Sequence, residues 1–195
     1  MKAVQEKRMR GYFISAAKEL IRGEGLEVVS ARNVAQRAGY SYATLYNYFK
    51  DIRDLIFSCV QDFMEECRMF VLKDMAQTDS ATEALIAISA SYAKFFIHYP
   101  GIFDLFYQTR ATQISTPSSN FEAIYLLFDS LVAEQWQTIG TERKSTISTT
   151  EKAQRYHKLA LHGLMAFYLN GRINNDYMEL TSRIEEVTRS SIGMV

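Results

Sequence analysis

The chain has 195 residues, 48% of them hydrophobic, and 22 basic side chains balance 22 acidic ones. This composition supports a globular core, in one domain or two small ones. No stretch reaches the roughly 18 consecutive apolar residues of a membrane span, and the N-terminus lacks the apolar segment of a secretory signal. We therefore expect a cytoplasmic protein, with Cys59 and Cys67 as buried thiols.

The zero net charge conceals an uneven distribution. Residues 1–53 carry ten Lys and Arg against five acids, whereas the other 142 residues carry twelve basic and seventeen acidic side chains. A basic end on an acidic body indicates that one end meets a polyanion, although ordinary variation of surface charge gives the same count.

With only two prolines and nine glycines, long periodic apolar segments run without interruption, which predicts an all-α protein of about nine helices. The first helix is expected over residues 3–23. Ser30 is the expected N-cap of a short helix over 31–38, and Gly39 ends that helix. Ser41 is the expected cap of a second short helix over 42–48.

Further capping residues mark the later helices. Asp51 is expected to cap a long fourth helix that reaches about residue 76. Capping boxes then predict three starts and a related fourth, at Ser80/Glu83, Ser119/Glu122, Ser148/Glu151 and Asp176/Glu179. The polar run over 141–150 is predicted to be the one long linker. We divide the chain into an N-terminal head of three helices, residues 1–50, and a larger helical body, residues 51–195.

The segment "ARNVAQRAGYSYATLYNYFK" (31–50) carries four tyrosines in its last eleven positions. Two short helices joined by Gly39, Tyr40 and Ser41 predict a helix-turn-helix. If Leu45 and Phe49 face the core, the outward side chains of the second helix suit contact with DNA, because a tyrosine ring packs on sugar or a thymine methyl and its hydroxyl bonds to phosphate or base edges. These outward side chains are Tyr42, Ala43, Tyr46 and Asn47.

Charged and capping groups next to these helices add phosphate contacts. The helix N-terminus at Ser41 offers free backbone N–H groups, and Arg32 and Lys50 offer charge. For Tyr46 and Tyr48, partial burial against the first and fourth helices is the alternative interpretation.

The longer pattern "S-x-x-x-V-A-x-x-A-G-Y-S-x-x-T-L-Y-x-Y-F", after a basic first helix, closely resembles the N-terminal domain of the TetR family of bacterial transcriptional regulators. The resemblance covers about residues 5–60. The matching residues are Ser30, Val34, Ala35, Ala38, Gly39, Ser41, Thr44, Leu45, Tyr46, Tyr48, Phe49 and Leu55.

The resemblance implies phosphate contacts by Ser30, Ser41, Thr44 and Tyr48, and base contacts by the outward side chains of the second short helix. The chain departs from the family at Ile52, where a phosphate-binding lysine is common. Either Lys50 or Arg53 substitutes for it, or the affinity for DNA is weaker.

The resemblance also implies an effector cavity among the body helices, with the fourth helix transmitting its occupancy. Polar residues that interrupt the aromatic runs are the expected lining: Tyr92, His98, Tyr107, Arg110 and Trp136. For two of these, another interpretation stays open. Arg110 would end a helix at the surface, and His98 would interact with a helix C-terminus.

The family pairs its last two long helices into a four-helix dimer interface, which implies a homodimer here. Gly163, in an apolar helix, is explained if a partner helix approaches closely. The expected interface residues are Tyr156, Leu159, Gly163, Phe167, Ile184 and Val187. The rival interpretation places them in an intramolecular core against the fourth helix.

These patterns predict a ligand-responsive transcriptional regulator, a repressor by expectation, that binds a palindromic operator in double-stranded DNA as a dimer and is released by a small molecule. Activation stays open, as does control by a protein partner or without an effector. An enzyme is not expected, because His98, His157 and His162 form no metal or nucleophile motif and no phosphate loop is present. We expect no cofactor or metal.

Overall fold

The computed structural model describes residues 2–74, 78–109, 119–174 and 176–195. Within these ranges the chain forms nine α-helices and no β-strand, which confirms the predicted all-α class. The helices are α1 (Lys2–Glu24), α2 (Ala31–Ala38), α3 (Tyr42–Leu45), α4 (Ile52–Asp74), α5 (Ala81–His98), α6 (Pro100–Phe103), α7 (Ser119–Glu142), α8 (Ile147–Leu169) and α9 (Tyr177–Ile192).

Carboxylate caps begin α4 and α9 as the sequence predicts. Asp51 Oδ1 accepts the backbone N–H of Asp54 at 2.9 Å. Asp176 Oδ1 accepts the N–H groups of Met178 and Glu179 at 2.7 and 3.4 Å. Each carboxylate satisfies donors that the first helical turn leaves free, and its charge lies at the favourable end of the helix dipole.

The predicted linker over 141–150 and the Ser148/Glu151 cap are wrong. Helix α7 continues to Glu142 and α8 already begins at Ile147, so only residues 143–146 connect them. Lys144 adopts φ 55° and reverses the chain, and Thr146 Oγ1 accepts the N–H of Thr149 at 3.2 Å. The cap therefore sits two residues earlier than predicted, because the tight reversal leaves Thr146 with the extended backbone that a cap requires.

The second short helix also ends earlier than the predicted residue 48. After Leu45 the backbone donors of Asn47 and Tyr48 bond to carbonyls three residues back, at 3.2 and 3.0 Å. This tighter pattern ends α3 in a turn that leads towards α4.

The contacts divide the chain into two compact units. Unit 1 comprises Met1–Glu66 and Tyr99–Ile124, and unit 2 comprises Cys67–His98 and Tyr125–Val195. Helices α4 and α7 each contribute residues to both units. The functional division into a head (1–50) and a body (51–195) stays a prediction.

Unit 1 is built on α1, which packs against α2 and α6. Its large, fully buried side chains are Phe13, Ile21, Leu45, Phe49, Leu55, Phe63 and Phe103. Gly101 in α6 lies so close to the carbonyl oxygen of Ile21 that a β-carbon would overlap with it. A glycine is therefore required where α6 meets α1.

Unit 2 is a helical bundle in which α9 packs against α5 and α8. Its fully buried aromatic side chains are Tyr92, Phe95, Phe96, Phe128 and Trp136. Among the described residues, no helix is long and apolar enough to cross a membrane. Cys59 and Cys67 are free thiols, and burial raises the pKa of each to about 12.

Candidate functional site

The turn between α2 and α3 sets the direction in which α3 leaves α2. Gly39 adopts a left-handed conformation, φ 78° and ψ 25°, that an L-residue rarely takes. The backbone N–H groups of Gly39 and Tyr40 then bond to the carbonyls of Gln36 and Ala35 at 3.2 and 2.9 Å, which completes the end of α2.

Two serine caps fix the starts of the pair. Ser30 Oγ accepts the N–H of Asn33 at 3.2 Å, and Ser41 Oγ accepts that of Thr44 at 3.1 Å. The hydroxyl of Thr44 also lies 2.9 Å from that of Ser41. Both serines are exposed, so their hydroxyls can still reach a phosphate that approaches these helix ends.

The helix-turn-helix presents one side of α3 and the following turn to solvent, as predicted. Leu45 and Phe49 are 0% and 2% exposed, whereas Tyr42 and Tyr46 are 63% and 49% exposed. The exposed side chains next to them belong to Ala43 and Asn47. We call Tyr42, Ala43, Tyr46 and Asn47 the recognition face.

Tyr48 lies between the two environments. Its side chain is half-buried, with the ring centroid 6.1 Å from that of Phe13, and its carbonyl accepts a bond from the guanidinium of Arg10. Partial burial, the alternative raised for Tyr46 and Tyr48, is therefore observed for Tyr48, while Tyr46 is exposed.

The basic residues of the first 53 positions fall into two groups. Acids already neutralise Lys18, Arg22 and Arg37, and the guanidinium of Arg10 lies over the ring of Phe49. The exposed cations that form no ion pair with any described acid are Lys7, Arg8, Arg32, Lys50 and Arg53. The charge available to a polyanion is thus smaller than the sequence count indicates.

Ile52 is half-buried at the first position of α4 and supplies no cation there. Lys50 and Arg53 are exposed on either side of it. The backbone N–H of Lys50 donates to Asp54 Oδ2 at 3.1 Å, which holds this junction while leaving the ammonium group exposed.

Four of the five predicted pocket residues lie in the described part of the chain. Tyr92 and Trp136 are buried in unit 2, whereas His98 is exposed and its Nδ1 lies 2.7 Å from the carbonyl oxygen of Lys94. Tyr107 belongs to unit 1, where its ring centroid lies 5.2 Å from that of Phe103 and 6.0 Å from that of Phe106. Arg110 lies outside the described residues.

The centre of unit 2 contains a polar network that the sequence did not reveal. His157 is 0% exposed, and its Nε2 lies 3.3 Å from Ser89 Oγ and 3.0 Å from Thr188 Oγ1. Burial lowers the pKa of His157 to about 4 and also lowers the pKa of His162. The only sequence signal is a polar residue on the apolar face of each helix, which does not identify its partners.

A groove of about 340 Å³ lies between α7 and α8 in unit 2. Its lining comprises Ala133, Trp136, Gln137, Gly140, Thr141, Ser145, Ile147, Thr150, Glu151 and Gln154. Of the predicted pocket residues, Trp136 lines this groove. No group of three or more His, Cys, Asp or Glu that could hold a metal ion occurs in the described part of the chain.

The predicted dimer residues on α8 are largely at the surface. Tyr156, Leu159 and Phe167 are 50%, 56% and 59% exposed, and no atom of a described residue lies within 4 Å of a β-carbon added to Gly163. On α9, Ile184 is 2% exposed and belongs to the core of unit 2. Val187 is half-buried.

Residues 13–59 match the sequence model of the bacterial regulatory proteins of the tetR family. This span contains the capped helix pair, the left-handed glycine and the recognition face. This segment belongs to the TetR family. The matched segment and the shared fold support a DNA-binding transcriptional regulator.

Solved TetR-family structures share the fold well beyond the matched span. A regulator from Streptomyces coelicolor superposes with a TM-score of 0.73 at 15% identity, over 96% of this chain and 80% of its own. A Rhodococcus sp. protein assigned to the family gives 0.75 at 15% identity, over 94% and 98%. RolR in complex with resorcinol gives 0.68 at 14% identity, over 98% and 95%. No curated protein matches the chain in sequence.

Proposed function

We propose that this TetR-family protein is a ligand-responsive repressor that binds a palindromic operator as a homodimer and leaves it when a small molecule binds unit 2. The observation that carries the proposal is the recognition face. Two large tyrosine rings and an asparagine are exposed on a helix whose opposite side is fully buried. Side chains held in this way can enter the major groove without disturbing the core.

Groups around the recognition face can bind the DNA backbone. Arg32, Lys50 and Arg53 are exposed cations without a described acidic partner, and the hydroxyls of Ser30 and Ser41 lie at helix N-termini. These contacts position the protein without reading sequence, whereas Tyr42, Ala43, Tyr46 and Asn47 read the bases. Thr44 and Tyr48 add hydroxyls to the backbone contacts.

A dimer is proposed because one helix-turn-helix reads only a few base pairs. Two recognition helices about 34–36 Å apart enter successive major grooves, and their two-fold symmetry requires a palindromic site. The exposed apolar side chains of α8 at Tyr156, Leu159 and Phe167 supply a surface for this pairing. The open space at Gly163 accepts a close approach by the partner helix.

Effector release is supported by one neighbour of similar fold, RolR, whose structure contains resorcinol. Ligand binding that favours one of two arrangements of the dimer would lower its affinity for the operator by linkage. The second candidate is a regulator without a small effector. The tight aromatic packing of Tyr92 against Phe96 and Phe128, with ring centroids 5.0 and 4.9 Å apart, favours it.

The test is a binding selection on genomic fragments with the purified full-length protein, followed by footprinting of the enriched site. We expect a palindrome, two protomers per site and half-sites one helical turn apart. An enriched site without symmetry, or occupation by a single protomer, would contradict the dimeric mechanism. Addition of candidate effectors to the bound complex separates the two candidates, because only the ligand-responsive regulator is released.

A further inference from the structure

Two buried ring nitrogens in unit 2 have no hydrogen-bond partner among the residues that the structure describes: Trp136 Nε1 and His157 Nδ1. Trp136 is 1% exposed and His157 is 0% exposed, and their ring centroids are 5.8 Å apart. An unpaired polar atom in the interior is costly, because it has lost its bonds to water without gaining others. Two such atoms on neighbouring rings therefore point to a missing bonding partner.

The hydrogen bonds around His157 determine which of its nitrogens carries the proton. The hydroxyl of Ser89 donates to the carbonyl of Leu85 at 2.7 Å, and that of Thr188 donates to the carbonyl of Ile184 at 2.8 Å. Each hydroxyl has a single proton, so neither can also donate to His157. With both hydroxyl protons used in this way, we assign Nε2 as the donor to the two hydroxyl oxygens.

It follows that Nδ1 of the neutral His157 ring is a hydrogen-bond acceptor, since a neutral imidazole carries only one N–H. The low pKa of His157, about 4, keeps the ring neutral near pH 7. Trp136 Nε1 can only donate. The two unpaired atoms are thus complementary: one needs an acceptor and the other needs a donor.

A single hydroxyl group meets both needs, because its oxygen accepts one hydrogen bond while its proton is donated to another atom. Trp136 also lines the groove between α7 and α8, together with Thr150 and Gln154 of α8. His157 follows these two residues at helical spacing on α8. Trp136 therefore lies in the wall of the groove, and the His157 ring lies behind it at a centroid distance of 5.8 Å.

The lining of the groove constrains the charge of a ligand. Its volume, about 340 Å³, suits a molecule of about one ring. Glu151 is the one ionisable residue in the lining, and no lysine or arginine is there to neutralise an anion. Hydroxyl and amide side chains of Gln137, Thr141 and Gln154 offer neutral polar contacts instead.

We propose that the groove between α7 and α8, with Trp136 and His157 at its inner end, binds a small uncharged alcohol or phenol through its hydroxyl group. This deepens the proposed function, on which its regulatory role rests, by naming the chemical class of the effector. The ligand hydroxyl accepts from Trp136 Nε1 and donates to His157 Nδ1.

The sole tryptophan of the chain makes the test direct, because its indole N–H gives one resonance in a nitrogen-15 correlation spectrum. The full-length protein is titrated with phenol, with toluene as a ligand of similar size without a hydroxyl, and with benzoate as an anion. We expect phenol to shift the Trp136 resonance saturably. Toluene and benzoate should bind at least about fivefold more weakly, in line with the loss of a buried hydrogen bond.

Two variants test the proposed hydrogen bonds, and calorimetry measures the affinity of each variant for phenol. Trp136→Phe removes the N–H and keeps an aromatic ring, and His157→Gln keeps a donor towards Ser89 and Thr188 while removing the Nδ1 acceptor. Each should reduce the affinity for phenol about fivefold or more. Helical circular dichroism identifies any variant that does not fold, and the comparison of phenol with toluene on the unaltered protein needs no variant.

Equal binding of phenol and toluene, or a non-saturable shift of the resonance, would overturn the proposal. Undiminished phenol binding by folded Trp136→Phe would do the same. These titrations contain no DNA, so their failure leaves the DNA-binding function intact. A failure of the genomic selection, in turn, leaves these titrations interpretable.

Discussion

The guanidinium carbon of Arg10 lies 4.1 Å from the centroid of the Phe49 ring. The same guanidinium donates to the carbonyl of Tyr48, and its other nitrogen lies 3.4 Å from Ser58 Oγ. Arg10 therefore joins α1 to the turn that follows α3 and to α4. Although the sequence count includes Arg10 among the basic charges of the head, the structure gives it a role in holding unit 1 together.

We predict that Arg10→Ala lowers the free energy of unfolding by about 2 kcal/mol, through the loss of a cation–π contact and a charged hydrogen bond. Arg10→Lys should recover only part of this loss, because an ammonium group lacks the planar fork of the guanidinium. Urea unfolding measures both effects. Lys7→Ala, at an exposed cation without a described partner, is the control, and an Arg10→Ala protein as stable as that control would contradict the assignment.

A second prediction concerns the contact between Gly101 and Ile21. Gly101→Ala should destabilise the protein by about 1–3 kcal/mol, because the new methyl group meets a backbone carbonyl that cannot rotate away. Gly11→Ala is the matched control in α1. Nothing lies within 4 Å of its added β-carbon, so this change should stabilise the helix by about 0.5–1 kcal/mol. A shift of the unfolding temperature in the same direction for both variants would refute the prediction.

The third prediction follows from the buried, neutral His157. Its pKa is about 4 in the folded state against 6.5 for an unperturbed histidine, so protons bind the unfolded chain more readily over this range. The contribution of His157 to the free energy of unfolding is fully present above pH 6.5 and is lost as the pH falls from 6.5 towards 4. Between pH 7 and pH 5 this residue should account for a loss of about 2 kcal/mol.

The measurement is urea unfolding at several pH values, for the unaltered protein and for His157→Gln. The variant should show a flatter pH dependence, even if it is less stable throughout, because it has lost the titrating group. The lowered pKa of His162 acts in the same direction in both proteins. An equal slope for His157→Gln and the unaltered protein would disprove the assignment.

Gly163 provides a test of the proposed dimer surface. Gly163→Glu places a charge among the exposed apolar side chains of Tyr156, Leu159 and Phe167. Burial of that unpaired charge at an interface is costly, so we predict monomers in sedimentation equilibrium. Gly23→Glu is the control, because an added β-carbon there also meets nothing within 4 Å. A dimeric Gly163→Glu protein would show that the interface lies elsewhere.

The departure at Ile52 leads to a prediction about DNA affinity. Ile52→Lys places a cation at the start of α4, and each added phosphate contact steepens the slope of log affinity against log salt by about 0.9. We therefore expect tighter binding and a steeper slope by roughly one contact, with Ile52→Met unchanged as the control. An unchanged slope for Ile52→Lys would indicate that Lys50 or Arg53 already binds that phosphate.

Local signals explain which parts of the fold could be predicted. The starts at Ser30, Ser41 and Asp51 depend on a side chain that bonds within its own helical turn, and the inward placement of Leu45 and Phe49 depends on helical spacing alone. Each is decided by neighbouring residues, so the sequence is sufficient. The cap of α8 was mistaken because Thr146 and Ser148 have the same chemistry, and the left-handed backbone at Lys144 decides between them.

The features that could not be predicted depend on contacts between residues far apart in the sequence. His157 meets Ser89, 68 positions earlier, and Thr188, 31 positions later, and no local pattern predicts such partners. Arg10 is another example, because its contacts with Phe49 and Tyr48 use its charge within unit 1, whereas the basic end of the chain is expected to meet a polyanion. Among the residues predicted for a pocket, Trp136 lines a groove, while His98 is exposed because its helix ends there.

The most direct test of the central claim compares two duplexes, the site enriched by selection and a scrambled sequence of the same length. Fluorescence anisotropy gives the affinity of the unaltered protein and of Asn47→Ala for each duplex at a fixed salt concentration. We predict that the unaltered protein prefers the enriched site by at least about a thousandfold, and that Asn47→Ala loses about 1–3 kcal/mol of this preference without losing affinity for the scrambled duplex. Equal affinity of the unaltered protein for both duplexes would contradict the claim that the recognition face reads bases.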